Sequence, residues 1–108
     1  MRYALALDLK NDPKLIEEYK AYHLNVWPEI LSSLKLSGIR EMEIYQVANR
    51  LLMIIETDPE FSFERKADLD RTKLKVVEWE ALMDKYQDRL PFAKPDEKWV
   101  LMERIFKL

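Results

Sequence analysis

The chain has no cysteine in its 108 residues. Disulfides, thiol nucleophiles, thiolate metal sites and thiol redox switches are therefore excluded. Glycine occurs once, at Gly38. That excludes the phosphate-cradling loops of P-loop and dinucleotide-binding proteins, which need several glycines in one short stretch. There is one histidine, His23, too few for a multi-histidine zinc site, and the carboxylates show no ligand spacing. No metal and no cofactor is expected. The longest apolar run, Leu51 to Ile55, falls far short of the roughly 20 residues that span a membrane. The acid Asp8 comes too early for a secretion signal, so a cytoplasmic location is expected. Neither sign of charge dominates: 18 Lys and Arg face 20 Asp and Glu, a net charge of -2. No nucleic-acid or membrane partner is expected from that balance.

Apolar side chains make up 48% of the sequence and charged ones 35%. That suits one small domain over residues 1–108 with a core and a well-charged surface. Tyr3 to Leu9 alternates and predicts a strand. Asp12 and Pro13 predict a helix start, as cap and first-turn residue. Pro28 predicts a break near Asn25 to Trp27, because proline disfavours helical backbone at the residue before it. A second helical piece from Pro28 to about Ser37 should stop at Gly38. Ile39 to Val47 and Leu51 to Thr57 read as a hairpin with its turn at Asn49-Arg50. Asp58-Pro59 opens another expected helix, with Phe61, Phe63 and Leu69 on its apolar side. Val76, Trp79, Leu82, Met83 and Tyr86 predict a helix over about Lys75 to Asp88. Trp99 to Phe106 reads as the last strand, and the loop from Arg89 to Lys98 as a rim.

The order is βαββαβ, the split-βαβ pattern of an α+β, ferredoxin-like fold. Leu51, Met53 and Ile55 alternate with Leu52 and Ile54, so this strand is apolar on both faces. Helices cover one face of such a sheet, and the second face needs another cover. The expectation is a homodimer, a dimeric α+β barrel whose sheets face each other around a hollow.

His23 is the residue best suited to proton transfer, since an imidazole titrates at about pH 6.5 and can give or take a proton near neutrality. From position alone the plainer reading is a partly buried helix residue bonded to a neighbour. Tyr19 lies one turn before it and Trp27 one turn after, so a continuous helix would stack the three. Tyr19 offers a hydroxyl to a polar ligand, or is a core aromatic with its hydroxyl at the rim. Trp79 beside Glu80 suits a sugar, the indole covering C–H groups and the acid accepting hydroxyl protons. The plainer reading is Trp79 packed in an amphipathic helix and Glu80 in solvent. Trp27 and Trp99 read as core or interface residues. The serines stand in no nucleophile-elbow context.

The stretch Tyr19-x-x-x-His23-x-x-x-Trp27-Pro28-Glu29 resembles the signature of the L-rhamnose mutarotase family. The likeness extends over nearly the whole chain. It implies a ferredoxin-like dimer and an aldose 1-epimerase acting on the anomers of a 6-deoxy-hexose, a small monosaccharide, with L-rhamnose expected first. By the same resemblance His23 is the proton donor and Tyr19 binds sugar. A Trp-Trp pair in the family matches Trp79 and Glu80, so one indole has become a carboxylate. A sugar-binding tyrosine of the family's hairpin matches Met42, which has no hydroxyl. These departures make L-fucose the alternative substrate. Two further readings compete: a small monooxygenase of the same barrel superfamily, acting on quinols or haem, and a non-catalytic sugar-binding module. Fold alone does not choose among them.

Overall fold

Strand β1 covers Arg2–Leu9 in the computed structural model, which describes all residues 1–108. Its alternation buries Leu5, Leu7 and Leu9 on one face and sets Ala4 and Ala6 on the other. Asp12 caps helix α1 (Pro13–Tyr22), accepting from the backbone N–H of Lys14 at 2.9 Å and Leu15 at 3.3 Å. His23 is the C-cap. Trp27 leaves the helical region, with ψ at 135°, and Pro28 begins helix α2 (Pro28–Leu36). Gly38, with φ at 99°, turns the chain into β2 (Ile39–Val47). These are the boundaries that proline, glycine and the Asp12 cap dictate.

Four expectations are corrected. The hairpin turn is Ala48-Asn49, not Asn49-Arg50, because Val47 pairs with Arg50 at the start of β3 (Arg50–Thr57). Arg50 is held in the strand by two bonds to Asp8 on β1, at 2.6 and 3.2 Å. The following helix does not open at Asp58-Pro59. The Asp58 carboxylate binds Arg40 at 2.5 Å and its N–H binds the Gly38 carbonyl at 2.8 Å. Ser62 supplies the cap instead, accepting from the Arg65 N–H at 3.2 Å, and helix α3 runs over Phe63–Arg71. Phe61 is buried ahead of it, while Phe63 and Leu69 stay exposed.

Helix α4 (Leu74–Asp84) stops short of Asp88. Residues Gln87–Asp88 form a short strand, β4, opposite Leu9 and Asp8. Free N–H and C=O groups on the edge of β1 capture this segment once the helix ends. The last strand is likewise shorter than Trp99 to Phe106. Only Val100–Leu101 pair, as β5 against β1, followed by one bond from the Met102 N–H to Ala4. Beyond it, Ile105, Phe106 and Leu108 are exposed.

The sheet order is β2-β3-β1-β4, with β5 also on β1, and the β1, β2 and β3 pairings are antiparallel. This is the ferredoxin-like α+β arrangement, with its fourth strand split into β4 and β5 by the loop 89–99. The helices cover one face. Buried side chains form two groups: one around Leu9, Tyr19, Ile30, Leu51 and Trp79, the other of Leu5, Ile39, Ile55 and Phe61. Leu34 and Trp99 pack against both. Between them lies a cavity of about 900 Å³, walled by the sheet below and all four helices above. This cavity lies within one chain, on the helix side of the sheet. The opposite face carries the apolar Ala4, Ala6, Leu52, Ile54 and Val100, half-buried, with Tyr45 and Val47 exposed beside them. No helix is long and apolar enough to cross a membrane.

Candidate active site

Hydrophobic side chains form 21 of the 29 residues lining the cavity. In such a pocket the few polar groups fix a ligand's orientation. His23, Tyr19, Trp79 and Glu80, the four candidates from the sequence, all lie on this wall, and so does Met42. Trp27 does not. It packs edge-on behind Trp79, ring centres 5.1 Å apart, with the Lys75 ammonium 5.7 Å from its own ring.

The break after α1 places His23 at a helix end, where its side chain is not crowded by a following turn. Its Nδ1 lies 2.8 Å from the Tyr19 carbonyl. A carbonyl only accepts, so Nδ1 carries the hydrogen and Nε2 is the nitrogen free to exchange a proton. The imidazole lies tilted against Tyr19, at 4.4 Å between ring centres, and edge-on to Trp79, at 5.7 Å. The i, i+4 spacing of Tyr19 and His23 therefore brings their rings together, and Trp79 joins them from α4.

Tyr19 is buried. Burial pushes its phenol up to about 12; a hydrogen bond from Gln87 works against this and the Glu80 carboxylate adds to it. The hydroxyl is accordingly neutral at physiological pH and serves as a hydrogen-bond donor, not as a phenolate base.

Glu80 is exposed but not merely solvated. Lys98 bridges it at 2.6 Å and Asp84 at 2.8 Å, and the Lys98 side chain is only 15% exposed. This tie clamps the 89–98 loop onto α4. Within that loop Arg89 binds the Pro95 carbonyl at 2.9 Å. The loop is therefore held beside Glu80, and none of its residues lines the cavity. Met42 presents a thioether on β2, and Tyr45 of the same strand does not substitute for a missing hydroxyl, since its side chain belongs to the outer face and its hydroxyl is bonded to Glu43 at 2.6 Å.

Two residues on this wall, Gln87 and Trp99, escape a functional reading of the sequence, as does Lys98 behind them, which holds Glu80. Trp99 read as core or interface and in fact both packs on the core and lines the cavity. Gln87 sits in a strand of two residues, too short for any periodicity to reveal. Nowhere do three His, Asp or Glu side chains gather as a group able to hold a metal ion.

Comparison with known proteins agrees with this architecture. The sequence model of the L-rhamnose mutarotase family matches residues 2–108. An L-fucose mutarotase from Xanthomonas campestris pv. campestris is 38% identical over 109 residues, covering 99% of this chain and 87% of its own. Among solved structures, the L-rhamnose mutarotase of Formosa agariphila superposes with a TM-score of 0.72 at 21% identity, over 100% of this chain and 98% of that one. A dimeric ferredoxin-like protein from an uncultured marine organism superposes with a TM-score of 0.54 at 16% identity, over 99% and 91%. With an imidazole at a helix end in the wall of a sheet–helix cavity, and a family match running almost end to end, the chain belongs to the L-rhamnose mutarotase family and is an isomerase of the sugar-mutarotase kind.

Proposed function

We propose that the protein interconverts the α and β anomers of a 6-deoxy-hexose in this cavity, with His23 as the proton-transfer residue. The observation that carries the reading is the 2.8 Å bond from His23 Nδ1 to the Tyr19 carbonyl. It is satisfied whether the ring is neutral or cationic, so only Nε2 changes state. Cationic His23 gives the Nε2 proton to the ring oxygen as the C1–O5 electron pair moves to that oxygen. A water takes the proton from the C1 hydroxyl, and C1=O forms. After rotation about C1–C2, the same steps in reverse close the other anomer and return both protons. General acid–base help of this kind is worth about 10²–10⁴-fold. The reaction calls for no metal or cofactor.

In this arrangement Trp79 covers a C–H face of the sugar, Tyr19 donates to an oxygen and Glu80 accepts from hydroxyls. The apolar wall of Leu51, Val76 and Met83 suits the methyl group that replaces a 6-hydroxyl. L-fucose is the preferred substrate of the two 6-deoxy sugars. Glu80 stands where the family's second indole is expected and Met42 where its tyrosine is, so a different set of hydroxyls is read. The relative at 38% identity is itself called an L-fucose mutarotase. L-rhamnose is the second reading. Saturation-transfer NMR between anomers, on a panel of L-fucose, L-rhamnose and D-sugars, tests both. Acceleration of L-fucose above L-rhamnose is expected, and a panel with no accelerated member defeats the reading.

We also infer a homodimer, joined through the apolar outer face of the sheet. Ala4, Ala6, Leu52, Ile54 and Val100 form an apolar patch on that face, which calls for a cover. The ferredoxin-like neighbour that superposes over 99% of this chain is described as dimeric.

A further inference from the structure

The cavity is longer than a monosaccharide, and its two ends differ. Leu51, Met53 and Ile55 follow one another along its floor, so it extends about 13 Å along β3 at a rise of about 3.3 Å per residue. A pyranose covers about two such residues. The volume of about 900 Å³ lies in the upper part of the range that holds a drug-sized molecule. Leu51 packs with Tyr19 and Trp79, at the end where His23 stands. Ile55 packs with Leu5 and Ile39, and Leu34, Met42 and Met53 lie against them. Met42 is directly opposite Ile55 in the pairing of β2 with β3. Phe63 of α3, 5.0 Å from Phe61 of the same group, also lines the cavity. The polar side chains that α2 and α3 add to this wall already have partners. Ser33 Oγ accepts from Lys73 at 3.2 Å, and Lys66 is paired with Asp70 at 2.5 Å. The Ile55 end therefore asks for no hydroxyl. Native interiors leave few voids larger than a water molecule, and an apolar hollow of this kind takes apolar ligands in preference to water.

We propose that the Ile55 end is a second subsite, for an aromatic group carried on the sugar, and that the protein takes reducing 6-deoxy-hexoses bearing an aryl substituent on a ring oxygen in preference to the bare sugar. This rests on the mutarotase reading for the sugar itself. A flat ring suits the walls: the thioethers of Met42 and Met53 are polarisable and adapt to an aromatic face or edge, and Phe63 offers a ring to pair with. The substituent belongs on O2, O3 or O4. It cannot sit on O1, because the C1 hydroxyl must give up its proton when the pyranose opens. Because both ends belong to one cavity, sugar and aryl group bind as one molecule and the second contact costs little further entropy. His23 keeps the anomeric centre, and the aryl group takes no part in proton transfer.

The test sets L-fucose and L-rhamnose against their 2-, 3- and 4-O-benzyl ethers, with Kd from ligand-observed NMR and anomer exchange by saturation transfer in parallel. In the wild type one ether is expected to bind about tenfold or more tightly than its parent, since moving a phenyl ring from water into an apolar pocket is worth at least that. Its anomers should exchange faster than in buffer alone. Leu34→Phe and Met53→Phe fill the subsite with a ring of their own, and in each variant that circular dichroism shows to be folded the ether should lose its advantage over the parent. If neither folds, excess benzyl alcohol reads the same subsite in the wild type: it should weaken the ether and leave the parent sugar unaffected. The proposal is overturned if no ether binds more tightly than its parent, if a folded variant keeps the gain, or if benzyl alcohol weakens ether and parent alike or neither. An ether gain that the variants abolish, with no anomer exchange accelerated for any sugar, defeats the mutarotase reading and leaves the aryl subsite standing.

Discussion

The His23 ring is anchored through Nδ1 to the main-chain carbonyl of Tyr19, one helical turn away, at 2.8 Å. The anchor is a backbone atom, so it survives any change of the Tyr19 side chain. His23→Asn retains an amide able to reach that carbonyl and loses Nε2. Anomer exchange is expected to fall by at least about 10²-fold. The thermal midpoint should stay within a few degrees of wild type, read by circular dichroism. Exchange at the wild-type rate in saturation-transfer NMR removes His23 from the mechanism.

Tyr19 makes stability depend on alkaline pH. Its phenol ionises at about 12 in the folded chain and at about 10 when unfolded. Above pH 10 the unfolded state therefore sheds a proton that the native state keeps. The stabilisation is complete below pH 10 and is lost as pH rises through 12, about 3 kcal/mol in all and about half of that by pH 11. Tyr19→Phe should lack this component. Urea unfolding of both proteins at pH 8 and pH 11 measures it, and parallel losses in the two would refute it.

Lys98 holds two carboxylates that face it from α4. Lys98→Met leaves Glu80 and Asp84 without their shared cation and frees the 89–98 loop. A loss of about 1 kcal/mol is expected, since both acids are more than half exposed and solvent screens the pair. Sugar affinity should fall as well, because Glu80 is no longer oriented. A double change with Glu80→Gln should cost less than the sum of the two singles; strict additivity would show that the pair is not coupled.

Ala48 occupies the first position of the hairpin turn with φ at 51°, a region that costs a side chain with a Cβ about 1–2 kcal/mol. Ala48→Gly relieves that strain at a smaller entropic cost to the unfolded chain. A gain of about 0.5–1 kcal/mol in urea stability is expected, with anomer exchange unchanged. A loss of stability would mean that the turn is not strained.

Ile54 lies on the outer face of β3, between Ala4 on β1 and Glu43 on β2. An aspartate there meets water in a monomer and apolar surface in a dimer. In light scattering at micromolar concentration the wild type is expected to run as a dimer and Ile54→Asp as a monomer. A monomeric wild type would show that the face is covered by something other than a second copy.

Local chemistry made much of this molecule legible in its sequence. Asp12, Pro28 and Gly38 set helix ends through caps and forbidden backbone angles, which depend only on near neighbours. Alternation marked β1, β2 and β3, and a spacing of four placed Tyr19 beside His23. The turn slipped by one residue because Arg50 answers to Asp8, far away in the chain. Asp58 did not cap because Arg40 and Gly38 engage it first.

What tertiary structure alone decided is the far wall of the cavity. Gln87 and Trp99 reach the site because the edge of β1 captures the chain on either side of the 89–99 loop, and Lys98 reaches Glu80 through the same excursion. Edge pairing depends on which N–H and C=O groups remain free after β3 has docked, a property of the assembled sheet. The local sequence could therefore name the imidazole, its tyrosine and the Trp79–Glu80 pair, while the wall supplied by Gln87 and Trp99 waited on the packing of segments remote from them.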